Sequence, residues 1–293
     1  RRPPLRLIGS ITALATPFGV TGELDLDAWH RLLAQQLEGG TQAIVVAGST
    51  GEANALYDAE YDILLRTAVE TVAGRIPVLA GTGLSNTAKT IEQTRRAAAL
   101  GADAALVVTP PYVRPTQGGM VAHYRAIAED GALPVVLYNV PGRTGSDLLP
   151  ETVAELYQHP RIIGIKDASG DMPRVTDHRL ACGPDFCLLS GVDEQSLAFN
   201  AAGGRGCISV TANVAPKLCA EFQAASLAGN MAKAHDLNEQ LFSLHQALFT
   251  DASPGPIKYA MAKVLGWIGE EVRLPLVACN AESRRAVDAG LAH

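Results

Sequence analysis

A closed α/β barrel of the (β/α)8, TIM-barrel type, with a helical extension at its carboxyl end, is the fold class this sequence predicts. Three observations predict it. Short, nearly continuous apolar runs rich in β-branched residues recur along the chain, the pattern of parallel strands covered on both faces. Longer amphipathic stretches alternate with them and build βαβ units. The chain has 293 residues, more than the ~250 that one barrel uses.

The first strand is predicted at 8–15. A helix then opens at Asp25-Leu26-Asp27-Ala28-Trp29, with acidic residues in its first turn, and closes at Gly39-Gly40. Strands at 43–47, 77–81 and 104–109 follow, separated by helices at 56–72 and 87–100. Leu100-Gly101-Ala102-Asp103 is a helix end running into a turn. A helix at 118–130 leads to the strand at 135–139, and a helix at 148–159 leads to the strand at 162–166. The last strands, 187–190 and 206–209, are preceded by helices at 173–180 and 194–202, and an eighth helix is predicted at 215–228. That completes a catalytic barrel over 1–228. The remainder, 229–293, is too long for a tail and predicts a helical domain of three helices at 230–249, 256–266 and 280–289, punctuated by Pro254, Pro256 and Pro275.

Composition narrows the function classes. Hydrophobic residues make up 47% and charged residues 18%, too apolar for disorder. The net charge is −6 and no basic run occurs, so neither nucleic acid nor an anionic membrane is an expected partner. No apolar stretch reaches spanning length. The start, Arg1-Arg2-Pro3-Pro4, lacks the apolar core of a signal peptide, and a cytoplasmic protein is expected. Cys182, Cys187, Cys207, Cys219 and Cys279 form no CxxC pair and are expected as reduced, half-buried thiols. The seven histidines are isolated, which argues against a histidine-ligated metal.

Active sites of such barrels form at the carboxyl ends of the strands. The polar residues there are concentrated. Strand two runs into Gly48-Ser49-Thr50-Gly51-Glu52, strand four into Thr109-Pro110-Pro111-Tyr112, and strand five into Tyr138-Asn139-Val140-Pro141-Gly142-Arg143-Thr144. Strand six ends in Lys166-Asp167, strand seven in Ser190-Gly191, and strand eight in Ile208-Ser209. Lys166 follows Ile162-Ile163-Gly164-Ile165. Desolvation favours the neutral form of an amine, and a neutral amine can attack a carbonyl to form a Schiff base. Tyr138, one strand away, can shuttle protons. Ser49 and Thr50 add hydroxyls between glycines that let backbone N–H groups approach a carboxylate. Arg143 suits a bidentate grip on a second carboxylate. Each also has a plain structural reading: a lysine capping a strand, a barrel tyrosine, a tight turn, a surface arginine. Two glycine-rich segments carry no cofactor signal. Gly81-Thr82-Gly83-Leu84-Ser85-Asn86 ends in Asn where the dinucleotide pattern needs Gly or Ala. Gly203-Gly204-Arg205-Gly206 precedes a strand rather than a helix.

GSTGE at 48–52, YNVPGRT at 138–144, GIKDASGD at 164–171 and SGVDEQSLAFNAAGGRGCISVTANV at 190–214 together resemble the dihydrodipicolinate synthase / N-acetylneuraminate lyase family. The likeness spans essentially the whole chain. It implies Schiff-base chemistry on pyruvate, with no metal or organic cofactor. It implies that Lys166 carries the imine and Tyr138 relays protons. Ser49 stands where the synthases usually carry a threonine of the relay. Thr50 and nearby amides match the pyruvate carboxylate site. Tyr112 matches a tyrosine that crosses a tight dimer interface. Gly191 and Ile208 match positions lining the lysine pocket.

Arg143 in Gly-Arg-Thr favours the synthases, which condense pyruvate with aspartate semialdehyde in diaminopimelate and lysine biosynthesis, whereas Ser49 is similar to the lyases. Another pyruvate aldolase, acting on a sialic acid or a 2-oxo-3-deoxy sugar acid, is one alternative. A catalytically silent barrel that senses 2-oxo acids is another. The resemblance implies a homotetramer built as a dimer of dimers. It also places the lysine-feedback positions at Ala53, Asn54, Asp58, Tyr61, Ser85, Lys89 and Pro111. Lys89 there puts a like charge against the ligand's ammonium and Pro111 replaces an aromatic, so weak or absent inhibition by lysine is expected.

Overall fold

The computed structural model describes residues 5–293, and the Arg1-Arg2-Pro3-Pro4 start lies outside the described residues. In chain order the elements are β1 (Gly9–Ala13), α1 (Leu26–Glu38), β2 (Ala43–Val46), α2 (Asp58–Val72), β3 (Val78–Gly81), α3 (Thr87–Ala99), β4 (Ala104–Val108), α4 (Gln117–Asp130), β5 (Val135–Asn139) and the single turn α5 (Pro141–Thr144). Then come α6 (Pro150–Leu156), β6 (Ile162–Asp167), α7 (Pro173–Cys182), β7 (Cys187–Ser190), α8 (Ser196–Ala201), β8 (Gly206–Ser209) and α9 (Pro216–Leu227). The strands pair in sequence order and β8 closes on β1, every pair parallel, which is the predicted barrel. Three helices follow: α10 (Met231–Ala247), α11 (Gly255–Leu265) and α12 (Ala281–Leu291).

Side chains alternate across each strand, so the barrel has an inner and an outer layer. Ile11, Val45, Leu79, Leu106, Val136, Leu189 and Ile208 fill the inside. Ile44, Val46, Ala105, Val107, Leu137 and Ile165 face the helices and merge with Trp29, Leu32, Leu64 and Tyr124 into the main core. Leu244, Leu248, Ile257 and Met261 of the last helices join the same core. Side-chain caps set several helix starts. Asp25 accepts from the Ala28 N–H at 3.0 Å, Asn86 from Lys89 at 2.9 Å and Thr116 from Gly119 at 3.1 Å.

The element boundaries differ from expectation where proline acts. The strand expected from residue 77 starts at Val78, because Pro77 has no N–H, although its carbonyl still accepts from Ile44 at 3.1 Å. The helix expected over 148–159 starts at Pro150, since the residue before a proline is driven out of helical geometry and Leu149 is extended, with ψ 151°. Of the five cysteines, four are fully buried and Cys182 partly so, none paired. No helix among the described residues is long and apolar enough to cross a membrane.

Three buried histidines make this packing pH-sensitive. His123 sits between α3 and α4, its Nδ1 2.8 Å from the Thr87 hydroxyl. Burial pushes its pKa from 6.5 down to about 4. Burial also lowers those of His178 and His245. The unfolded chain therefore takes up protons near pH 6.5 that the folded chain refuses until lower pH. The stability these groups contribute is full above about pH 6.5 and drains away as pH falls toward 4, with His123 alone accounting for roughly 3 kcal/mol. Denaturant midpoints between pH 7.5 and 4 will show this decline, and His123→Gln will make it shallower. An unchanged slope in that variant would remove His123 from the explanation.

Candidate active site

Lys166 lies near the carboxyl end of β6, in register with Tyr138 of β5 on one side and Leu189 of β7 on the other. Its neighbour Ile165 packs outward, so alternation sends Lys166 into the barrel. Both Lys166 and Tyr138 are buried. The lysine Nζ stands over the tyrosine ring, 4.0 Å from its centroid. The stem of the lysine runs past Gly191, where a Cβ would lie 3.1 Å from Cε and 3.2 Å from Cγ. The same Cβ would lie 2.9 Å from the Ala168 Cβ, so a side chain at this position would force Ala168 or the lysine stem to shift. Ile208, on β8, belongs to the same buried apolar cluster as Tyr138 inside the barrel.

The Gly48–Glu52 segment forms a tight turn at the end of β2. The Glu52 N–H donates to the Ser49 carbonyl at 3.0 Å, and the Ala53 N–H to that of Gly48 at 3.3 Å. The Thr16 hydroxyl holds the Gly51 carbonyl at 2.7 Å. Thr50 is buried and Ser49 is exposed. The turn is flanked by two non-glycine residues in left-handed geometry, Ala47 and Glu52, each with φ 55°. Such positions cost about 1–3 kcal/mol each and persist only where the surroundings hold them. The neighbouring β3 approaches so closely that a Cβ on Gly81 would lie 2.1 Å from the Ala47 carbonyl oxygen.

Tyr112 is placed apart from this group. It is 92% exposed, with φ 73°, in the loop after β4. Its N–H donates to the Thr144 carbonyl at 3.1 Å, which ties that loop to α5. Arg143 is exposed on α5. Thus the chain brings Tyr138 and Gly191 against Lys166, puts Ile208 in the apolar cluster of Tyr138, sets Thr50 and Ser49 at a rim turn, and leaves Tyr112 on an exposed loop and Arg143 exposed on α5.

Sequence reasoning missed the groups that brace this rim. Asn139 donates to Asp147 at 2.8 Å, and Arg174 forks onto the same carboxylate at 2.8 and 2.6 Å. The guanidinium holds the Asp147 carboxyl below its ordinary range. Asp193 accepts from the Ser209 hydroxyl at 2.5 Å and from the N–H groups of Val210 and Thr211 at 2.9 and 3.2 Å, which fixes the turn after β8. Asp193 lies inside a motif visible in the sequence, but its partners are 16 to 18 positions away. Asp147 and Arg174 carry no sequence signal at all. No group of histidine, cysteine and acidic side chains suited to a metal occurs among the described residues.

A buried amine stacked on a phenol, at the mouth of a closed parallel barrel, is an arrangement built for carbonyl chemistry. Comparisons with known proteins identify the family. A 4-hydroxy-tetrahydrodipicolinate synthase from Novosphingobium aromaticivorans is 54% identical over 287 residues, covering 97% of each chain. The structure of a dihydrodipicolinate synthase from Acinetobacter baumannii, solved with pyruvate, has a TM-score of 0.94 and 41% identity, covering 97% of this chain and 98% of that one. The enzyme from Thermotoga maritima also gives a TM-score of 0.94, at 39% identity over 98% of both chains. The family model described as the dihydrodipicolinate synthetase family matches residues 6–293, and this chain belongs to that family.

Proposed function

We propose that this chain condenses pyruvate with aspartate semialdehyde to 4-hydroxy-tetrahydrodipicolinate, the entry to diaminopimelate and lysine. The observation that carries the reading is the placement of the Lys166 Nζ over the Tyr138 ring inside the barrel. Pyruvate binds with its carboxylate at the Ser49-Thr50-Gly51 turn. The amine of Lys166 attacks the ketone, and Tyr138 passes the protons that turn the carbinolamine into an imine with loss of water. Loss of a methyl proton gives the enamine, which attacks the aldehyde of the second substrate. The amine of that substrate then displaces Lys166 and closes the ring.

Tyr112 supports a second copy of this chain as partner. A tyrosine that is 92% exposed and in left-handed geometry, beside the half-exposed Val113, offers an apolar surface for a partner chain to cover. In a tight dimer it would reach the partner's Ser49 and complete the proton relay, and two such dimers would make the tetramer.

Arg143 is assigned to the carboxylate of aspartate semialdehyde. Arg143→Ala should raise the KM for aspartate semialdehyde at least about tenfold, the scale of a lost bidentate pair, and shift that for pyruvate far less. Equal shifts would remove the steering role. A panel of aldehydes read by pyruvate consumption tests the substrate itself. Preferential condensation with the aldehyde that builds a sialic acid or a 2-oxo-3-deoxy sugar acid would contradict the reading.

Weak or absent inhibition by lysine belongs to the same proposal. Lys89 lies in the first turn of α3, and the Ser85 hydroxyl is already committed to the Pro111 carbonyl at 2.8 Å. A titration with free lysine should leave the rate nearly unchanged through the low millimolar range, and strong inhibition there would contradict it.

A further inference from the structure

Glu52 closes the turn at the end of β2, and the reaction outlined above makes no use of its carboxylate. The side chain is 1% exposed. Its Oε2 accepts from the Nζ of Lys258, and its Oε1 from the backbone N–H of Arg273 at 3.0 Å. Lys258 sits on α11 and is 0% exposed, and its Nζ also donates to the Glu271 carbonyl at 2.7 Å. Two cations share one aromatic ring. The Lys258 Nζ lies 4.3 Å and the Arg273 guanidinium carbon 4.2 Å from the centroid of Phe18. Arg273 then forks onto Glu60, in the first turn of α2, and donates to the carbonyls of Ala55 and Gly22, each at 2.8 Å. The stretch from the turn to the start of α2 is therefore held from the carboxyl-terminal segment.

A buried ion pair is a poor way to gain stability, because desolvating both charges offsets most of their attraction. Apolar side chains would pack α11 onto the barrel as well. They would not hold a left-handed non-glycine residue two positions beyond Thr50. The ion pair does so by fixing where the Glu52 carboxylate lies, and the Glu52 N–H in turn fixes the Ser49 carbonyl.

We infer that Glu52, Lys258 and Arg273 form a positioning device that holds the Ser49-Thr50-Gly51 backbone in the geometry that receives the pyruvate carboxylate. None of the three touches substrate. The helical extension thereby sets the affinity for the first substrate. This rests on the reading of the turn as the carboxylate site.

The test uses the double variant Glu52→Gln/Lys258→Met, which removes both charges together and leaves neither stranded in the interior. Pyruvate is titrated with borohydride present, and the half-saturating concentration for reductive trapping on Lys166 is read. The folded double variant should need at least about tenfold more pyruvate, the scale of a ligand site displaced by a fraction of an ångström, while the KM for aspartate semialdehyde moves less than about threefold. Half-saturation within about twofold of the parent protein, or equal shifts for both substrates, would overturn the inference. If the double variant fails to fold, Phe18→Leu removes the ring under both cations and leaves the charges paired. It should weaken trapping in the same selective way, and an unchanged half-saturation would overturn the inference. Absence of trapping in the parent protein would instead overturn the assignment of the site itself.

Discussion

Replacing Lys166 by alanine is expected to remove turnover almost completely, by at least about 10^4-fold, with the fold intact. The loss is large because the step depends on a covalent bond that no other group can make. Lys258, the other buried lysine among the described residues, is committed to Glu52 and the Glu271 carbonyl. Stability should change little. The lysine is buried among Tyr138, Gly191 and the strand ends rather than ion-paired, so its truncation strands no opposite charge. Steady-state rates with pyruvate and aspartate semialdehyde, alongside a thermal melt, check both halves. Retention of even a hundredth of the activity would show that the amine is not the nucleophile.

Tyr138→Phe carries the second large effect. Phenylalanine keeps the ring on which the Lys166 Nζ rests, 4.0 Å from its centroid, and removes only the hydroxyl. Packing should therefore survive while proton transfer fails. A positioned general acid–base contributes about 10^2–10^4-fold, and kcat is expected to fall by that amount with little change in the KM for pyruvate. A fall confined to KM would make Tyr138 a wall of the pocket, and a fall below about tenfold would assign the proton relay elsewhere.

The barrel was legible because its signals are local, and so was the placing of the candidate residues along it. Each strand is a short apolar run, and the polar residues of interest lie at its carboxyl end or in the loop that follows, so the position of Lys166 or Tyr138 along its strand already says which end of the barrel it occupies. The turn α5, which carries Arg143, left no periodic trace because four residues make barely one helical turn. The braces were invisible for another reason. Lys258 and Glu52 are 206 positions apart, and nothing in either neighbourhood tells a buried ion pair from two surface charges. Asp193 stood in a quoted motif, yet its role appears only once β8 places three donors around it. The strained geometry of Ala47 and Glu52 was likewise hidden, since neither residue type favours φ 55° by itself.

The most direct measurement is reduction with borohydride in the presence of pyruvate, followed by digestion and peptide mass analysis. A reduced pyruvyl adduct is expected on the peptide containing Lys166, lost in Lys166→Ala. An adduct on any other lysine, or none in the active protein, would contradict it.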